Sequence, residues 1–480
     1  MNREAKLEEA MTLMSNTTRP RSFARLGAIA IAIAASGVEA RAGLADLPEP
    51  NLMLYQDGDS LLKTTIQVDS AVFTEGNAWF GESRLNTGDH VGTWAELGVM
   101  PGLEGALALG DYGSARARVS GVWTTTQLGL DAAGSNFDDR YPHETTLEDA
   151  YVGWSSGGLF PSLGKNAVDV SFGSQKYQVG SGFLFWDGNP DGGTRGGYWL
   201  GMRKAFEMAG IARLTTGPFK GEVVYLRPND VHENHTDIFG TNLEWSLGER
   251  SKIGAGYWFI ENSKDPRRDG LNVVDVRGEV HPFDYLPRGL TGLVLSAEVV
   301  HEDNGDLNDS WGGYGEIGYD FDVWMAPYLS YRYSGFTGDN GSNGEIETYD
   351  PLFYGMSDWG TWYQGEIFGE FIASNRNVEV HTLRLRVEPA EKWKVNLLGM
   401  IYELDEFATV LQPRIGDPRV LLIQDKHLAS EFDLVVDWEV GEHLLVSAVF
   451  GALFPDNGLQ QATHGSATWT HGMLYASIPF

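Results

Sequence analysis

Met473-Leu474-Tyr475-Ala476-Ser477-Ile478-Pro479-Phe480 alternates with a period of two. In a strand, this places Leu474, Ala476, Ile478 and Phe480 on one face, with Tyr475 and Ser477 on the other. Soluble domains tend to fray into polar residues at their ends. An apolar face stopping on an aromatic suits the closing strand of a β-barrel set in lipid.

The opposite end carries the matching signal. Residues 19–25 (Arg-Pro-Arg-Ser-Phe-Ala-Arg) are positive, and the apolar run Leu26–Ala35 follows them. Ser36 and Gly37 lead to Ala40-Arg41-Ala42, a small-x-small cleavage pattern. That is the order of a secretory signal peptide, expected over residues 1–42, with translation starting at Met1, Met11 or Met14. The apolar run is too short for a spanning helix, which needs about 20 residues.

Composition narrows the class. With no Cys in the chain, a disulfide scaffold and a thiolate metal site are both excluded. A formal charge of −31 leaves no basic face for nucleic acid. A mean hydropathy of −0.24 fits strands with one side on lipid and the other on water.

Alternation then recurs between clusters of Gly, Asn, Asp and Pro. It appears at Thr64–Phe73, Ala115–Thr124, Ile253–Phe259, Asn272–Val280, Tyr328–Tyr333, Thr382–Val387, Glu431–Trp438 and Leu444–Phe454. The longer outer loops are expected over Asp131–Thr146, Trp186–Gly197, Gly335–Asp358 and Glu406–Lys426. Strands of about 9–11 residues with loops of this size accommodate about eighteen such runs after residue 60. The fold expected is therefore all-β: a single transmembrane antiparallel β-barrel over residues 61–480, in a bacterial outer membrane, behind a periplasmic lead-in at 43–60.

Parity also sorts the charges. Arg116, Arg118, Arg277, Arg332, Arg384 and Arg386 fall on the face opposite the aromatic one, as do Asp275, Glu279, Glu366, Glu370, Glu431 and Asp433. A charge on the lipid face costs about 2–4 kcal/mol at the midplane, so these residues should point into the lumen. Two readings remain open there. The Arg could attract an anionic solute at a constriction, or they could simply pair with the carboxylates and fill the interior.

Two segments carry a family resemblance. The first is Ser171-Phe-Gly-Ser-Gln-Lys-Tyr-Gln-Val-Gly-Ser-Gly-Phe-Leu-Phe-Trp-Asp-Gly-Asn-Pro-Asp-Gly-Gly-Thr-Arg-Gly-Gly-Tyr-Trp-Leu-Gly-Met-Arg-Lys-Ala-Phe206. The second is Tyr349-Asp-Pro-Leu-Phe-Tyr-Gly-Met-Ser-Asp-Trp-Gly-Thr-Trp-Tyr-Gln-Gly-Glu-Ile-Phe-Gly-Glu-Phe371, continued by Ser374–Val378. Both resemble the alginate-export family of outer-membrane proteins. The resemblance implies an eighteen-stranded monomeric barrel through which a polyanionic uronate polysaccharide diffuses past an Arg-rich constriction. It also implies outer-membrane lipid as surroundings, and it leaves room for periplasmic export or import proteins as partners. This chain departs from that pattern in its acidity and in the mixed signs of its expected lumen.

Within the first motif, Phe183–Arg195 is too rich in Gly and Asp for a strand. It either folds inward, so that Arg195 and Arg203 present planar forks to a carboxylate, or it stays outside with its aromatics at headgroup level. In the second motif, Asp358–Tyr363 reads as an aromatic girdle, with Gln364, Glu366 and Glu370 continuing on inward parity.

Catalysis finds little support, because no Ser-containing motif accompanies the eleven His. His232 and His235 share a polar turn, and the oxygen-rich stretches 301–309 and 339–345 lack the spacing of a calcium loop. No cofactor and no metal are expected. The reading is a passive channel for an anionic polysaccharide. The alternatives are an uptake porin for another oligosaccharide or small solute, and a plugged surface barrel that acts as adhesin or structural protein.

Overall fold

The computed structural model describes residues 52–480 apart from 83–90, 130–140, 190–194, 230–234, 286–290, 306, 342–343, 345, 356–363, 408–409, 412–420 and 442. The signal-peptide reading of 1–42, the aromatic girdle at 358–363 and His232 lie outside the described residues. Leu52–Phe480 form one compact unit.

The chain runs through β1 (Met53–Asp57), β2 (Ser60–Gly76), β3 (Val91–Ala108), β4 (Ser114–Gln127), β5 (His143–Ser155) and β6 (Val168–Gln175). It continues through β7 (Phe206–Thr216), β8 (Phe219–Arg227), β9 (Asp237–Leu247), β10 (Ser251–Glu261), β11 (Asn272–Val280) and β12 (Leu293–Asp303). Then come β13 (Asp309–Asp320), β14 (Tyr328–Phe336), β15 (Val378–Val387) and β16 (Trp393–Leu404). A separate two-stranded ribbon, β17 (Val410–Leu411) and β18 (Leu421–Leu422), precedes β19 (His427–Val440), β20 (Leu444–Pro455) and β21 (Trp469–Pro479).

Each wall strand pairs antiparallel with its neighbour in sequence, and β16 passes directly to β19. The ring shuts where β21 pairs with β2, from Gln67↔Pro479 to Gly76↔Thr470. The result is a closed barrel of eighteen strands. Closure removes the exposed edges that would otherwise seek partners in lipid. The stretch read as a lead-in contributes β1, which lies against Ser60–Lys63 where β21 has already ended.

Turns such as Gly217-Pro218 and Gly248–Arg250 join the strands at the end that holds both ends of the wall. Long connections, chiefly 176–205, 337–377 and 405–426, occupy the other end. The loop expected to reach Thr146 is shorter than that, because β5 already begins at His143.

The parity expected from sequence is the parity observed. Val72, Val119, Val152, Phe172, Val223, Val276, Ile317, Leu383 and Phe432 stand exposed on the outer face. Such a belt is the surface lipid requires. Aromatics flank it near both rims: Trp393 stacks on Trp438 at 5.1 Å near the short turns, and Trp311 lies toward the long loops. In β21, Ser477 donates to Asp69 across the closing seam at 2.7 Å, so the face opposite Leu474, Ala476 and Ile478 points inward.

Candidate functional site

The interior divides into two zones. Toward the short turns it is lined by charge. Arg116 on β4 forks Asp169 on β6 at 2.5 and 2.7 Å. One strand position pair higher, Arg118 donates to Asp149 at 2.9 Å and to Glu104 at 3.3 Å, while Ser120 donates to the same Asp149 oxygen at 2.8 Å. On the opposite wall, Arg277 is gripped by Asp275 and by Glu244, the latter at 2.9 Å. Arg332 meets Glu316 at 3.5 Å, and Arg386 meets Asp320 at 3.1 Å. Arg384 donates to Asn396 at 3.1 Å, and it shares the Tyr328 ring face with Arg386.

Each of these six strand arginines meets a polar side chain of a nearby strand. Of the two readings that parity left open, the described contacts build a ladder of Arg–carboxylate pairs. The pairs are not sealed, however. The side chains of Arg116, Arg118 and Arg386 retain 31%, 27% and 28% exposure. Lys176 borders an open cavity of about 220 Å³ with Arg118, Asp149, Tyr151 and Gln175.

Toward the long loops the interior is apolar, because two connections fold into it. The first brings Phe183, Leu184, Phe185, Trp199 and Met202 to near-complete burial; the second brings Tyr349, Phe353, Ile367 and Phe368. They meet at a parallel bridge between Phe185 and Phe353. Phe185 also lies 4.6 Å from the ring of Trp258 on β10, and Phe183 stacks on Phe336 of β14 at 5.9 Å. Inward glycines seat these side chains. A Cβ at Gly98 would strike Met202, and one at Gly312 would strike the Tyr349 ring. Each fully buried Phe contributes about 1.5–3 kcal/mol toward holding the loops in place.

The inward reading therefore holds for residues 183–189, the described start of that motif, but Arg195 and Arg203 do not face solute. Arg195 donates to Asn189 at 2.7 Å and pairs with Glu144 at 3.2 Å. Arg203 is fully buried, donating to Thr124 at 2.7 Å, to Thr146 at 2.9 Å and to the Glu144 carbonyl at 3.2 Å. Both tie the first loop to β4 and β5. Their forks are committed to the protein itself, which corrects the expectation that they are offered to a carboxylate.

Glu366 and Glu370 also need correction, since the residues that carry them do not form a strand. Gly365–Ile372 is a π-helix lodged in the lumen. It opens at Gly365, at φ +107°, where a Cβ would collide with Tyr402 and Glu431. Glu366 is buried there and Glu370 is half-buried.

Sequence parity did not reveal how the loops are held. Glu96 accepts the consecutive backbone N–H groups of Trp199 and Leu200 at 2.9 and 3.0 Å. Glu148 accepts those of Lys204 and Ala205 at 2.8 and 2.9 Å. Glu431 accepts those of Ile367 and Phe368 at 2.7 and 2.9 Å, and Asp433 accepts that of Glu366 at 3.1 Å. Asp350, in the second loop, is forked by Arg268 at 2.6 and 2.7 Å and touched by Arg376 at 3.0 Å. Burial alone would raise the Asp350 carboxyl. The two guanidinium groups overcome this and hold it well below the ordinary carboxylate range.

Among the described residues no three His, Asp or Glu side chains converge on a metal position. His301 instead pairs with Asp309 at 2.9 Å and stacks on Trp311.

Comparison with known proteins agrees with this architecture. A family model described as "Alginate export" matches residues 124–470. No curated protein matches the chain. Among solved structures, OccK1 (OpdK) of Pseudomonas aeruginosa superimposes with a TM-score of 0.55 at 11% identity, covering 87% of this chain and 98% of that one. OccK9 (OpdG) of the same organism gives 0.56 at 11%, with the same coverages. OccK7 (OpdD), also from that organism, gives 0.52 at 10%, covering 88% and 99%. Identities this low speak to the fold alone.

Proposed function

The chain belongs to the alginate-export family of outer-membrane barrel channels, and from that premise we propose that it passes a carboxylate-bearing polysaccharide such as alginate by passive diffusion. The observation that carries this reading is the set of paired but accessible arginines, Arg116, Arg118 and Arg386. A guanidinium has five N–H donors, and a bidentate carboxylate occupies two of them. A sugar carboxylate arriving at Arg116 can therefore share or exchange with Asp169 without leaving either charge bare.

Conduction requires sites that bind weakly enough to be left again. Naked Arg rings would hold a polyanion in deep wells. Paired ones offer a row of shallow wells, which suits passage without an energy source. The wall carboxylates also favour a second reading, uptake of a neutral or small hydroxylated solute, because they cancel the positive field that would select anions.

Solute uptake into protein-loaded vesicles separates the two readings. The anionic reading expects uronate oligomers to enter faster than neutral oligosaccharides of equal length, with the advantage reduced in Arg116→Ala/Arg118→Ala. Equal entry of both solutes, unaffected by those substitutions, favours the neutral one.

A further inference from the structure

Three wall carboxylates on three different strands repeat one device. Glu96 on β3, Glu148 on β5 and Glu431 on β19 each accept two consecutive backbone N–H groups from an infolded loop. All three are buried, and hydroxyls add to the amide donors: Thr126 donates to Glu96 at 3.2 Å, and Tyr402 to Glu431 at 3.0 Å. A buried carboxylate needs compensation, and aligned peptide N–H groups supply it as charge-assisted hydrogen bonds. Each removed acceptor would leave two amides unsatisfied in an apolar interior. The described residues of the two loops so gripped, such as Phe185, Trp199, Phe353 and Phe368, are buried at the long-loop end.

We infer that Glu96, Glu148 and Glu431 are positioning residues that fasten the two infolded loops and thereby set the bore of the channel. The consequence for the bore rests on the channel reading above; the fastening does not. It also gives these acids a role separate from solute selection. Glu96 shows why the acceptor matters more than the charge. One of its oxygens takes both amides and the other faces Thr126, so a Gln side chain can keep both amide bonds and turn its NH2 toward the Thr126 hydroxyl.

The natural chain has no Cys, so a single introduced thiol reports on one loop without background. Leu200→Cys is the reporter for the first loop and Ile367→Cys for the second, both at buried positions. In folded protein in vesicles, the thiol at 200 should be labelled on the order of tenfold faster when Glu96→Ala is added, while Glu96→Gln stays near the parent. Glu431→Ala should expose the thiol at 367 in the same way. Single-channel conductance should rise in Glu96→Ala and Glu431→Ala, and Glu96→Gln should conduct like the parent.

Thiols that remain equally protected in both Ala variants would overturn the inference. So would a Gln variant that behaves like Ala, since charge rather than hydrogen-bond acceptance would then be at work. If Glu96→Ala fails to fold, the Glu431→Ala and Ile367→Cys pair decides. Exposed thiols in a protein that passes no current would uphold the fastening and remove the channel reading instead.

Discussion

Asp350 concentrates the residue-scale chemistry of the second infolded loop. Its carboxyl sits between Arg268 and Arg376, and its own backbone N–H donates to Glu302 at 2.9 Å. The folded state lowers its pKa, so the stabilisation is present above the unfolded value of about 3.9 and is lost as pH falls through the lower folded value. The loop should thus resist pepsin down through about pH 4 and open only in stronger acid. Asp350→Asn should be cleaved across 346–355 throughout that range. A parent protein already cleaved at pH 5 would contradict the clamp. Phe185 gives a pH-independent counterpart. Phe185→Ala should leave a cavity between Trp258 and Phe353 that costs up to about 3–5 kcal/mol, read as faster hydrogen exchange in residues 183–186 and 352–355. Unchanged exchange there would mean that the aromatic packing does not hold the loop.

At the scale of elements, lipid enforces what the sequence can show. Val276 stands mid-strand on the outer face of β11, with Asp275 and Arg277 buried inward on either side of it. Val276→Arg should therefore cost about 2–4 kcal/mol in a reversible bilayer-folding titration, and a cost near zero would place β11 away from the midplane. This two-sided pressure is why Asn272–Val280 and Tyr328–Tyr333 could be read as strands with the correct faces. The infolded loops feel no such alternation. Residues 364–372 read as a continued strand because Glu366 and Glu370 share a parity. Their spacing of four, echoed by Ile367 and Phe371, is the helical signal that was present and outweighed. Glu431 was legible as an inward residue, but its use was not. Its partners are the amides of Ile367 and Phe368, and backbone donors leave no mark on side-chain pattern.

For the whole molecule, the same contacts explain how an acidic chain can carry arginines on its inward strand faces. Each of these arginines has a polar partner in place, whereas Glu96, Glu148 and Glu431 are compensated by peptide N–H groups. These three buried acids therefore need no matching base, because backbone donors compensate them. The barrel is then polar and accessible toward the short turns, and narrowed by apolar loops toward the other rim. Planar-bilayer recording of the folded protein, with and without polymannuronate, tests passage through that interior most directly. Discrete open currents are expected, which the acidic polymer blocks reversibly and a neutral polymer of equal length does not. A folded barrel that carries no current would contradict such passage.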